Sequence, residues 1–175
     1  ICYYTFVEMF DFMQNAMAEG TFLQYREVYE AQSGAEHGNA KSYVPHAPYT
    51  VSDHLFQRVV EENPEGCTVS IHNQETAAEN ELFVSGTGGL RDFYRDFNIP
   101  LDHFRPSGKP SLHHALPRMN PRCRTLFVHN TMSEPDDIQA AHDWSPHTYW
   151  VTCPNANLYI ENRLPHYRYF LDAQA

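Results

Sequence analysis

The sequence predicts an α/β fold built on a parallel sheet. Short runs rich in β-branched and aromatic residues alternate about five times with segments whose apolar residues have helical spacing. Polar residues stand directly after several of these runs, where the chain turns into the next helix. Such alternation favours parallel strands joined by right-handed crossover helices. The 175 residues are enough for one domain with a sizeable core.

The predicted strands are short apolar runs of the kind that parallel sheets bury on both faces. They lie within residues 1–12, 42–46, 67–75, 124–129 and 148–153. Glu8 interrupts the first run, and we interpret it as an edge or surface residue, with a carboxylate facing a pocket as the alternative.

Helices are predicted between and after these strands, at 21–32, 52–62, 76–83, 90–97, 111–119, from 133, and at 163–174. Their starts carry capping signals: Ser52, the capping-box spacing of Thr76 and Glu79, and Ser133 before a proline and acidic residues. The glycine-rich stretch 85–89 lacks the Gly-Lys-Ser/Thr of a phosphate-binding loop, so it predicts a break between helices. Residues 154–158 are predicted to form a polar turn after the last strand.

Composition narrows the class of function. The formal net charge of −10, from 12 basic and 22 acidic residues, argues against nucleic acid as a partner. No stretch is apolar over the length that a membrane span requires. The 11 histidines favour metal or proton chemistry. The cysteines lack Cys-x-x-Cys spacing, which favours reduced, buried thiols in a cytoplasmic protein: Cys2, Cys67, Cys123 and Cys153.

Polar side chains recur at the carboxyl ends of consecutive predicted strands. They are His46, His72, Glu75, His129, Asn155 and Asn157. In a parallel sheet these ends meet at one edge, where ligands bind. An imidazole suits a divalent transition metal, and a carboxylate three residues later can act as a general acid or base. For any one histidine, a hydrogen bond at a helix N-terminus is the simpler interpretation; three at successive strand ends predict a shared site.

Four segments together resemble the metal-dependent amidohydrolases. They are HAPYTVS (46–52), HNQE (72–75), VHNT (128–131) and CPNANL (153–158). The branch that they resemble contains cytosine, guanine and S-adenosylhomocysteine deaminases and the triazine chlorohydrolases. The resemblance extends over most of the chain, from about residue 3 to residue 165.

The resemblance implies a (β/α)8 barrel, of which this chain would supply about strands three to seven, and it implies roles for the strand-end residues. His72 would bind one divalent metal, zinc or alternatively iron. Glu75 would transfer protons, and His129 would contact the attacking water or the tetrahedral centre. The substrate, a small heterocyclic amine, would be contacted by His46, Asn155 and Asn157, with stacking on Tyr49 or Tyr159.

The sequence also departs from the family pattern. It contains no His-x-His pair and no Gly-Thr-Asp turn, which carry further metal ligands in the family. We therefore expect residues 1–175 to be a single α/β segment from the central part of a longer barrel, and to be inactive alone. Open sheet edges would favour self-association. The alternative is a non-catalytic α/β module that binds a small ligand. A hydrolase that uses Cys or Ser with His and Asp is disfavoured, because no nucleophile lies on a sharp strand-to-helix turn such as Gly-x-Ser-x-Gly.

Overall fold

The computed structural model describes residues 2–32 and 40–175. Within them the strands are β1 (Tyr4–Met9), β2 (Ala40–Pro45), β3 (Thr68–Asn73), β4 (Arg124–His129) and β5 (Thr148–Val151). The helices are α1 (Ala18–Ala31), α2 (Asp53–Glu62), α3 (Ala77–Ser85), α4 (Gly89–Asp96), α5 (Ser111–Ala115), α6 (Pro135–Trp144), α7 (Pro154–Glu161) and α8 (Tyr167–Asp172). The predicted α/β fold with parallel βα repeats is confirmed.

All the strand pairs are parallel, and their spatial order follows the sequence. β1 pairs with β2, and β3, β4 and β5 form a second group in that order. The two groups meet between β2 and β3, where the His72 amide donates to the His46 carbonyl at 2.8 Å and the Ser42 hydroxyl donates to the Thr68 carbonyl at 2.6 Å. The carboxyl ends of β1 to β4 therefore lie next to one another along one edge.

Strand alternation decides which side chains face the helices and which face the opposite side. In β3, Val69 and Ile71 are buried, whereas His72 is only partly buried. In β1, Val7 and Met9 are buried and Glu8 between them is exposed. Successive side chains of a strand point to opposite faces. His72 and Glu8 thus lie on the face that the main core does not fill.

The main core lies between the sheet and the helices that cover it. α2 contributes Leu55, Phe56 and Val59, which helical spacing brings to one side, and the sheet contributes Ile71 and Phe127. All five are at most 4% exposed. Removing this apolar surface from water is the main term that holds the helices on the sheet.

A second, smaller core cluster lies under α3 and α4 and includes Leu82, Phe83 and Tyr94. Gly86 ends α3 in the left-handed conformation, at φ 73°, which glycine adopts without a steric penalty.

Some local predictions were wrong at helix ends. Residues 154–158 are the first turns of α7, not a polar turn, because Pro154 occupies the first helical position, where a missing N–H costs nothing. Glu134, not Ser133, caps α6, in a reciprocal pair with Asp137. The predicted last helix is confined to α8, since the residue before a proline, here Leu164 before Pro165, disfavours the helical conformation.

The two outer strands leave open edges in the described part of the chain. β1 pairs there only with β2, and β5 only with β4. Apolar side chains are exposed beside β5, with Tyr159 at 91% and Leu171 at 69%. This arrangement is that of a barrel segment. Among the described residues, no helix combines the length and the apolar character needed to cross a membrane.

Candidate active site

Three histidines predicted from strand ends lie side by side. The ring centroids of His46 and His72 are 5.0 Å apart, and those of His72 and His129 are also 5.0 Å apart. The parallel register explains this, because Asn73 in β3 is opposite His129 in β4. His129 has a positive φ of 79°, so the chain turns sharply there and its ring reaches His72.

A continuous series of hydrogen bonds links the site from β1 to α7. Glu8 Oε1 is 2.8 Å from His72 Nε2, and His72 Nδ1 is 3.0 Å from His129 Nε2. His129 Nδ1 is 2.9 Å from Asn157 Oδ1, and Asn157 Nδ2 donates to the His129 carbonyl at 3.3 Å. The amide orientation of Asn157 therefore requires a proton on His129 Nδ1.

The contact between Glu8 and His72 changes the pKa of both groups. The hydrogen bond to Glu8 raises the pKa of His72, and the hydrogen bond from His72 lowers the pKa of Glu8.

Glu8 corrects the interpretation made from the sequence. Its side chain is 42% exposed, but it faces the histidines and not the outside of the sheet. Strand alternation carried the signal, because Val7 and Met9 on either side are apolar and buried. A charged residue between two buried ones lies on the opposite face, which here is the site.

Glu75 joins the same cluster. Its Oε1 is 3.3 Å from His129 Nε2. The backbone N–H groups of Gln74 and Glu75 both donate to the carboxylate of Glu79, at 2.9 and 3.1 Å. Glu79 was missed as a site residue because its spacing from Thr76 suggested a capping box, of which only the Thr76 half is present.

The two predicted asparagines, Asn155 and Asn157, lie in different environments. Asn157 is fully buried against His129, whereas Asn155 is exposed in the first turn of α7. Two residues along a helix point to different sides, so the structure does not bring Asn155 to the histidines. Tyr159 is likewise exposed and away from them. Tyr49 remains near the site, with its ring centroid 6.2 Å from that of His46.

His46 lies at the edge of the cluster. Its Nδ1 is 2.7 Å from the Thr50 hydroxyl, and burial lowers its pKa. Arg105 lies apart from this contact and donates to the carbonyls of Asp102 and Phe104 in its own loop.

The donor set fits a divalent metal. One ligand atom from each of Glu8, His46 and His72 lies within 4.8 Å of the other two. Imidazole nitrogen and carboxylate oxygen are the usual ligands of catalytic zinc. These groups are also partly open on the side away from the core, which a catalytic metal requires.

Comparison with known proteins identifies chains of similar sequence and fold. No family model matches the chain. It is 26% identical over 149 residues to the aminodeoxyfutalosine deaminase of a Nitratiruptor species. Its fold matches the crystal structure of Helicobacter pylori aminofutalosine deaminase, with a TM-score of 0.78 over 97% of this chain at 16% identity. An adenosine deaminase from Xanthomonas campestris with bound zinc matches with a TM-score of 0.57 over 97% of the chain at 22% identity.

The matching proteins are deaminases and an amidohydrolase, which bears out the resemblance drawn from the sequence. The amidohydrolase fold also accounts for the architecture, because a partial barrel of five parallel strands is what the described residues form. The match covers 84% of this chain but 35% of the Nitratiruptor deaminase, and it covers 42% of the Helicobacter deaminase. The chain therefore spans between a third and a half of the length of these two deaminases.

Proposed function

We propose that this chain belongs to a metal-dependent hydrolase of non-peptide carbon–nitrogen bonds, which removes the amino group of a heterocyclic amine. The observation that supports this most is the contact of the Glu75 carboxylate with His129, at 3.3 Å, beside His72. A metal-binding imidazole, a carboxylate and a second imidazole in contact are the groups that hydrolytic deamination needs.

His72 would hold the metal, through Nε2, the nitrogen that faces Glu8 and His46. Zinc is the first choice and iron the alternative, since imidazole suits both. When bound, the metal supplies Lewis acidity, which lowers the pKa of water towards neutrality. The zinc in the Xanthomonas adenosine deaminase supports this choice.

The protein groups would divide the proton transfers between them. Glu75 accepts one proton from the attacking water and passes it to the ring nitrogen next to the reacting carbon, and then carries the remaining hydroxyl proton to the departing amine. Water and the amine thereby become a ring carbonyl with a protonated ring nitrogen, and ammonia. His129 is held by Asn157 with its Nδ1 protonated, which directs Nε2 towards Glu75 and His72. His129 can then hydrogen-bond the reacting oxygen while its ring stays fixed.

The substrate would lie against His46 and Tyr49, whose rings are close enough to contact one planar heterocycle. The structure of the Helicobacter deaminase in complex with methylthio-coformycin, a small molecule, supports a small heterocyclic substrate for this chain. Asn157 contributes by orienting His129. The exposed position of Asn155 gives no support to its predicted contact with substrate.

We also propose that residues 1–175 form the central segment of the barrel, and that the segment alone is inactive. The short coverage of the related deaminases supports this, and so do the open edges at β1 and β5 in the described residues. Cys67, Cys123 and Cys153 are free thiols, which supports the expected cytoplasmic location.

Metal analysis tests this proposal. The full-length polypeptide, purified without chelator, should contain about one zinc or iron per chain, and His72→Ala should lose most of it. His54→Ala is the matched control, because His54 is exposed on α2. A screen of amino-substituted purines and pyrimidines for ammonia release then follows. Absence of metal from a well-folded wild type would refute the hydrolase and favour the ligand-binding module.

A further inference from the structure

Glu79 is a fully buried carboxylate whose hydrogen-bond donors are all uncharged. Oε1 accepts from the backbone N–H of Gln74 at 2.9 Å and from the Ser111 hydroxyl at 2.6 Å. Oε2 accepts from the backbone N–H of Glu75 at 3.1 Å. Its exposure is 0%. The carboxylate therefore bridges two successive amides in the loop that carries Glu75.

Neither packing nor helix capping explains a carboxylate at this position. Burying an acidic group against neutral donors is costly, and burial raises the pKa of Glu79 to about 7. The start of α3 is already capped by Thr76, whose hydroxyl accepts from the Glu79 N–H at 3.2 Å. What the carboxylate adds is an acceptor for two neighbouring N–H groups at once.

The loop that it holds has an unfavourable backbone. Gln74 has a φ of 47°, in the left-handed region that side chains other than glycine rarely adopt. The Gln74 side chain is fixed from the other side, by Asp137 at 2.9 Å and by the Ser133 hydroxyl at 2.5 Å. The hydrogen bond from the Glu75 backbone N–H to Glu79 fixes the position of the Glu75 backbone, and therefore the point from which the Glu75 side chain extends.

We propose that Glu79 is a positioning residue, which holds the backbone of Gln74 and Glu75 so that the Glu75 carboxylate contacts His129. This inference rests on the proposed role of Glu75 in proton transfer. Glu79 itself does not reach the substrate, because α3 and α5 enclose it.

Glutamine cannot replace it. The Glu79→Gln side chain has nearly the same shape but only one acceptor oxygen, and its amide NH2 would face one of the two N–H donors. The repulsion would displace the Glu75 amide. Because a misplacement of about 1 Å can cost about 100-fold in rate, we expect kcat to fall about 10- to 100-fold while KM changes less than about threefold.

The test compares Glu79→Gln with Glu81→Gln in the full-length polypeptide. Glu81 lies on the same helix and is exposed, so its replacement makes the same charge change outside the loop. We expect the loss of kcat, and faster hydrogen exchange in peptides that span residues 72–76, only in Glu79→Gln. If Glu79→Gln does not fold, Glu79→Asp replaces it with the same expectation, because its shorter side chain cannot reach both N–H groups.

The two readouts separate this proposal from the proposed function. Unchanged kcat in a folded Glu79 variant, with an active wild type, overturns the positioning role. Unchanged exchange at residues 72–76 overturns it as well, whether or not the wild type is active. A third outcome is a metal-loaded wild type that releases no ammonia from any substrate in the screen, together with faster exchange in Glu79→Gln. This result refutes the proposed function but keeps the role of Glu79 in holding the backbone of Gln74 and Glu75.

Discussion

Replacement of Asn157 by leucine tests how the buried end of the histidine series is held. Asn157 is 0% exposed, and its side chain bonds both the ring and the carbonyl of His129. Leucine fills a similar volume but offers no hydrogen bond, so the His129 Nδ1–H and carbonyl lose their partners. Each unsatisfied buried group costs about 1–3 kcal/mol, and we expect Asn157→Leu to lower the free energy of unfolding by about 2–4 kcal/mol.

The assay is thermal unfolding of the 175-residue chain, followed by circular dichroism. For a chain of this size the expected loss corresponds to a decrease in Tm of roughly 5–15 °C. Asn155→Leu is the control, because Asn155 is exposed on the same helix and should change stability by less than about 0.5 kcal/mol.

A second readout follows the imidazole directly. Nitrogen-15 spectra should place a proton on His129 Nδ1 in the wild type, and the variant should lose that preference. Equal Tm values for Asn157→Leu and Asn155→Leu, with an unchanged imidazole spectrum, would refute the argument that Asn157 fixes this ring.

Three further predictions concern buried and partly buried groups elsewhere in the chain and beside the site. Burial raises the pKa of Glu79 to about 7 from an ordinary 4.5, so between these pH values the native state keeps a proton that the unfolded chain loses. The free energy of unfolding of the wild type should therefore fall by ~3 kcal/mol relative to that of Glu79→Gln as pH rises through this window. Urea unfolding at several pH values would measure the difference. Burial lowers the pKa of His114 from 6.5 to about 4, so as pH falls the unfolded chain binds a proton before the native state does. The free energy of unfolding of the wild type should therefore fall by ~3 kcal/mol more than that of His114→Leu over this pH range. The same dependence on pH in both proteins would contradict this. Phe127 is 0% exposed with its ring centroid 5.2 Å from that of Trp150, so Phe127→Ala should cost about 3–5 kcal/mol in urea unfolding, whereas Phe97→Ala, at a residue 66% exposed, should cost less than about 0.5 kcal/mol.

Local pattern was enough for the sheet and for the first members of the site. Apolar runs with turn signals gave the five strands, because strand and helix periods differ and the runs are short. The strand prediction also placed the histidines at 46, 72 and 129 together, since residues at the carboxyl ends of neighbouring parallel strands lie at the same edge of the sheet. Their convergence needed no knowledge of long-range contacts beyond strand order.

Long-range geometry decided the rest. Asn155 and Asn157 are alike in sequence, and only the start of α7 at Pro154 determines which of them faces His129. In the sequence, Glu8 is only an interruption of an apolar run, and Glu79 is only the second half of a capping-box spacing. The role of Glu8 depends on which face of β1 lies next to His72, and that of Glu79 depends on which backbone amides its carboxylate contacts. Both are set by how the elements of the chain pack together.

The sequence by itself therefore determined the α/β class and the sheet edge at which the candidate site lies, because these follow from periodicity and strand direction. Only the tertiary structure decided which side chains touch: the contacts Glu8–His72, His129–Asn157 and Glu79 with the Glu75 amide. Hydrogen bonds depend on distances of a few tenths of an ångström, and strand register and helix packing fix these only once the whole core is formed.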